Sequence, residues 1–169
     1  LFLASDSVAQ KSTLYFYDLN LKTNFKVSKR DKIYFSGYFG KDHFGLADAF
    51  SIKYGNTTAT TRWNRIINDK TFSNTSFIYN NFNYQVEIGI NDFDLFVNSI
   101  LNNYSLKQDY DYFLNSKNRL KFGGISTWYN VVPGDISSSD TLIAQRGLTR
   151  SNGWENAAYI QNEQTISPK

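Results

Sequence analysis

Between Tyr104 and Tyr112 the chain alternates aromatic or aliphatic side chains with polar and charged ones. Tyr104, Leu106, Tyr110 and Tyr112 fall on one parity; Ser105, Lys107, Asp109 and Asp111 fall on the other. A period of two sends successive side chains to opposite faces, so this stretch predicts an extended strand dividing two unlike surroundings. Asn115-Ser116-Lys117-Asn118 then supplies a polar turn, and Leu120, Phe122 and Trp128 resume on one parity. Any fold for this chain must offer such a hairpin one side that tolerates charge and one that tolerates bulky rings.

The same period recurs along the chain, and no helix-period segment of useful length interrupts it. Over 14–27, Tyr15, Tyr17, Leu19, Leu21, Phe25 and Val27 oppose Asp18, Asn20, Lys22, Asn24 and Lys26. Strands are also predicted over 33–40, 54–67, 72–84 and 154–166, which with the hairpin makes seven. The 72–84 stretch leaves its faces undecided, because Phe77 and Tyr79 compete with Phe82 and Tyr84. Polar turns near 28–31, 68–70 and 115–118 are tight, whereas 41–53, 85–92 and 133–153 predict long connections. Short turns at one end and long loops at the other are the arrangement of outer-membrane β-barrels.

Dimensions and charge agree with that class. From Tyr15 to Phe25 the chain rises ~3.3 Å per residue, which at a tilt of ~40° gives about 25 Å of height. Tyr15/Tyr17 and Phe25 are then placed as two aromatic girdles. An Arg facing lipid at mid-membrane costs roughly 2–4 kcal/mol. Arg62 is therefore expected inward with Thr58, Thr60 and Asn64, and Lys22, Lys107, Asp109 and Asp111 likewise. Trp63, Tyr104 and Phe122 are expected outward, with Arg65 outward at headgroup depth.

Composition narrows the classes further. Aromatics make up 17% of the chain, with 12 Tyr, 14 Phe and 3 Trp, where a soluble core leans on Leu, Ile and Val. The 18 Lys+Arg against 15 Asp+Glu are mixed along the chain, which gives no footprint for nucleic acid. Without cysteine there is no disulfide scaffold or thiolate site, and no apolar run reaches the roughly 18 residues of a membrane helix. The start at Leu1, with neither Met nor a basic leader region, fits an internal fragment entered from an outer loop.

Residues capable of chemistry are few. His43, the single histidine, lies beside Asp42 with no neighbouring set of ligands, so no metal site is expected. Asp109 and Asp111 sit ~7 Å apart on one strand face, a spacing open to a glycosidase pair. They are better read as part of a water-facing row with Lys107. No serine or phosphate-loop motif is present, so neither an enzyme nor a cofactor is expected.

Five colinear segments resemble the barrel of TonB-dependent outer-membrane receptors that carry a carboxypeptidase-regulatory-like domain before the plug. They are YFYDLNLKTNFKVSKRDKIYFSGYFGKDHFG (15–45), GNTTATTRWNRIINDKTFSNTSFIYNNFNY (55–84), YSLKQDYDYFLNSKNRLKFG (104–123), YNVVPGDI (129–136) and AAYIQNEQTISPK (157–169). The resemblance implies an all-β fold of antiparallel up-and-down transmembrane strands. About seven of the 22 in such a barrel are present, over residues 1–169, without plug or signal peptide. It implies a bacterial outer-membrane transporter importing a glycan, peptide or metal chelate. Its partners would be outer-membrane lipid, its own plug, TonB through that plug, and a surface-exposed substrate-binding lipoprotein.

Under that resemblance the candidate lumen-facing or ligand-contacting residues are Lys22, Asp42, His43, Arg62, Asn64, Lys107, Asp109 and Trp128. The long connections, with Tyr54, Phe93, Trp128 and Tyr129 near their bases, would face the cell exterior. The alternative is a soluble all-β carbohydrate-binding module whose apolar faces pack on each other.

Overall fold

A computed structural model describes residues 12–47, 49–90, 93–138 and 149–166. Seven strands follow in order: β1 (Thr13–Lys26), β2 (Asp31–Leu46), β3 (Phe50–Asn68), β4 (Thr71–Ile90), β5 (Phe93–Asn115), β6 (Asn118–Ser138) and β7 (Ser151–Gln164). They form one sheet in sequence order, each strand antiparallel to the next. Among the described residues the sheet is not closed, and β1 and β7 are its two edges.

The sheet is a single layer. Among the described residues no hydrophobic side chain is buried, and those that are buried are Ser73, Ser76, Ser105, Thr127 and Asn130. A soluble sheet instead hides one face against a second layer about 10 Å away. Two of these small polar groups satisfy one another: the Ser105 and Thr127 hydroxyls lie 2.9 Å apart.

The predicted strand centres hold, but their ends are corrected. The long connections expected over 41–53 and 85–92 are mostly strand, since β2 runs to Leu46, β3 starts at Phe50, β4 reaches Ile90 and β5 begins at Phe93. Part of 133–153 is strand too; residues 139–148 lie outside the described residues. The sorting of short and long connections therefore does not hold at 41–53 or 85–92. Pro133-Gly134 forms a bulge. Asn98 pairs with Asp135 and Ile100 with Val132, so Pro133 and Gly134 together oppose Ser99. Proline has no N–H for the ladder, and Gly134 takes a φ of 46°.

The three tight turns share one design. Ser28 Oγ accepts the N–H groups of Arg30 and Asp31, Asn68 Oδ1 accepts that of Lys70, and Asn115 Oδ1 accepts those of Lys117 and Asn118. Each side chain imitates a backbone turn, which is why Ser and Asn suit these positions. The turns are also staggered. The Arg30 carbonyl accepts the Ile66 N–H, and the Lys70 carbonyl accepts that of Phe113. Ile67-Asn68 and Leu114-Asn115 then carry their strands further before turning. A step of roughly one residue per strand, ~3.4 Å against a spacing of ~4.8 Å, inclines the strands by about 35° from the perpendicular to the line of turns.

Candidate functional site

Partners across an antiparallel ladder share a face, so the registers carry a single parity across the whole sheet. Arg62 lies in one row with Tyr34, Ser76, Lys107 and Ile125. Asn64 lies in the next, with Lys32, Asn74, Asp109, Gly123 and Tyr159. Lys22, in the row of Ser36 and Thr60, is on the same face. Parities inferred separately for three strands thus agree in one surface, here termed the charged face. On the opposite, aromatic face lie Phe35, Trp63, Phe77, Tyr79, Tyr104, Leu106, Tyr110, Phe122, Trp154 and Ile160. The undecided 72–84 strand is resolved: Phe77 and Tyr79 belong to the aromatic face, Phe82 and Tyr84 to the other.

The remaining candidates divide. Asp42 is on the same face as Arg62, but further from the turns. His43 and Trp128 are on the aromatic face, away from the other six. The His43 ring meets Tyr15 edge-on at 5.0 Å, and its Nε2 lies 3.0 Å from Ser51 Oγ. Trp128 packs against Tyr104 with ring centres 5.7 Å apart. Trp128 keeps the parity it shares with Phe122, and His43 lies an odd offset from Asp42, which reverses its face.

Charge on the charged face is organised over β5–β7. Lys107 Nζ lies 3.0 Å from Asp109, Arg119 reaches Asp111 at 2.7 Å and Glu163 at 3.4 Å, and Lys121 reaches Glu163 at 2.6 Å. Tyr159 donates to Asp109 across Gly123 at 2.8 Å. Over β1–β3 the cations gather on a ring instead: Lys32 and Arg62 each lie 5.0 Å from the centre of Tyr34. A groove of ≈ 590 Å³ lined by Lys26, Lys32, Tyr34, Asn64 and Arg119, among others, opens here toward the turns. Its excess of cations favours anionic or carbonyl-rich contacts.

On the aromatic face, between the turns and the row Asn81–Asn102–Asn130–Asn152, the ionisable acids and bases are Asp31 and Arg65. They pair at 4.0 Å at the turn rim. Trp63 donates to Asp31 at 2.9 Å and underlies Arg65. Beyond the asparagine row the two faces exchange character. The formerly charged face now carries Phe44, Phe50, Ile52, Phe82, Val86, Val97, Leu101 and Val131, while the aromatic face carries Lys41, Lys53, Asn83, Gln85 and Glu87. Ile100, Val132 and Phe96 are apolar exceptions on the one face, and Asp18 and Asp42 charged exceptions on the other.

The row itself draws one asparagine from each of four strands. Asn81 donates to Asn102 and Asn130 to Asn152, each at 2.6 Å, and Asn83 donates to Asn81 at 3.0 Å. One step nearer the turns lies an aromatic row, Tyr79–Tyr104–Trp128–Trp154. Neither row is visible along a single strand; abundant Asn is the sole sequence signal, and it carries no register.

Fold and faces define an all-β, up-and-down antiparallel sheet with one charged and one aromatic face. No family model matches the chain, and no curated protein matches it.

Proposed function

We propose that this chain is a stretch of barrel wall from a TonB-dependent outer-membrane transporter, importing a glycan, peptide or metal chelate. The observation that carries the reading is the segregation of charge. Lys22, Arg62, Lys107, Asp109, Asp111 and Lys121 share one face, and the other is free of charge from the asparagine row down to the Asp31–Arg65 pair. In lipid that arrangement avoids roughly 2–4 kcal/mol for each mid-depth cation. In water, where both faces are wetted, no such penalty would enforce it.

Three further features support the reading. The stagger matches the tilt of about 35–45° found in barrel walls. From Asn102 to Tyr112, ten steps of ~3.4 Å at such a tilt span about 25 Å, the height of an outer-membrane apolar band. The open edges of β1 and β7 leave backbone groups unpaired, which hydrocarbon does not tolerate, so the wall continues on both sides. A soluble carbohydrate-binding module would need a second layer over the aromatic face, and the described residues form one sheet. In the proposed role Lys22, Arg62, Asn64, Lys107 and Asp109 border a wet lumen and its plug, and none carries out catalysis.

The test is a nitroxide scan of the full-length protein in lipid vesicles. Labels at Trp63, Tyr104 and Phe122 should be accessible to oxygen, and labels at Arg62, Lys107 and Asp109 to a water-soluble nickel chelate. A monodisperse, cooperatively melting protein in plain buffer, or the opposite accessibilities, would overturn the reading.

A further inference from the structure

We infer that the asparagine row and the aromatic row beside it form a rail that binds the uncharged sugar headgroups of outer-leaflet glycolipid. This rests on the aromatic face being the lipid-facing one, and it adds a binding site to that face. The rows lie where the two faces exchange character, which under that reading is where acyl chains give way to headgroups.

The chemistry of the rail favours hydroxyl groups. Carboxamides at ~4.8 Å spacing each offer two N–H donors and an oxygen with two lone pairs. The bonds within the row use only part of this capacity: Asn102 accepts from Asn81 and Asn152 from Asn130, leaving the amide N–H groups of both acceptors for a ligand. Those internal bonds also hold the amides in a fixed order, which lowers the ordering cost of binding. Tyr79–Tyr104 and Tyr104–Trp128, with ring centres 5.1 and 5.7 Å apart, supply an amphipathic shelf for the C–H face of a sugar ring. Trp154, the cross-strand partner of Trp128, extends the shelf onto β7.

The rail also argues against phosphate. On β4–β7 no ionisable acid or base occupies the asparagine row, the aromatic row or the Asn83–Ile100–Val132 row beyond. A phosphate is held best by Arg or Lys; on the aromatic face these stand outside the rail, Arg65 at the opposite rim and Lys41 and Lys53 on β2 and β3, while Lys70 and Lys117 lie in the turns. Over β4–β7 the rail is thus suited to neutral sugars, and the cations at the turns to anionic headgroups.

The test is native mass spectrometry of the full-length protein released from vesicles containing equal amounts of a galactosyl diacylglycerol and phosphatidylglycerol. The unmodified protein should retain the glycolipid preferentially. Asn102→Leu/Asn130→Leu should lower that retention at least fivefold. Asn152→Leu and Trp154→Leu, single changes on β7, should each lower it about twofold and serve if the double variant fails to insert. Lys70→Gln/Lys117→Gln should leave it unchanged. Equal retention of both lipids, or glycolipid retention indifferent to the asparagine and Trp154 variants, overturns the rail. A nitroxide at Leu106 separates the two levels: if it meets oxygen while the lipids are retained equally, the rail alone falls. If it meets water, the wall reading falls and the rail with it.

Discussion

The substitution Leu106→Arg puts the largest demand on the proposed wall. Leu106 is on the aromatic face, 57% exposed, with Phe77 and Ser126 as its cross-strand partners. With ~3.4 Å per residue and a tilt of ~40°, it lies about 10 Å below the level of Asn102 and about 16 Å above that of Tyr112. That is mid-band, where an arginine costs roughly 2–4 kcal/mol in an outer-membrane barrel. At about 1.4 kcal/mol per decade the folded population relative to unfolded falls by about 30- to 700-fold. Tyr112→Arg, near the turn rim, should cost only about 0–1 kcal/mol. Asn80→Arg, on the charged face, should change stability by no more than about 0.5 kcal/mol. Equilibrium urea unfolding of the full-length protein in vesicles, extrapolated linearly to water, measures all three. If Leu106→Arg costs no more than Asn80→Arg, or if Tyr112→Arg is equally costly, the depth reasoning is refuted.

Other perturbations test the local chemistry. Gly123→Ala places a Cβ against the Gln108 carbonyl and 2.8 Å from Asp109 Oδ1, so it should cost about 1–3 kcal/mol. Tyr159→Phe, losing only its bond to Asp109, should cost about 1 kcal/mol, and the unfolding midpoints should rank the two in that order. Asn115→Ala removes the acceptor for two turn amides, so about 1 kcal/mol should be lost and hydrogen exchange should quicken at Lys117 and Asn118 but not at Lys70. Gly134→Ala forces a side chain into the left-handed region; a loss of about 1–2 kcal/mol is expected, and an unchanged midpoint would show the bulge relaxes.

What the sequence determined by itself is the division of each strand into two faces. Lys107, Asp109 and Asp111 oppose Tyr104, Leu106 and Tyr110 because a pleated backbone sends neighbours to opposite sides, and that geometry needs no other strand. The turns at Ser28, Asn68 and Asn115 were equally legible, since each is closed by a side chain binding backbone within its own few residues. Tertiary structure decided everything that depends on register. The tie between Phe77/Tyr79 and Phe82/Tyr84 was real, because β4 crosses the row where the faces exchange character. The same crossing disguised strand as loop over 41–53 and 85–92. The asparagine row assembles from four strands through pairing alone. A period of two separates the sides of one strand; only hydrogen-bonded pairing says which residues on different strands stand together.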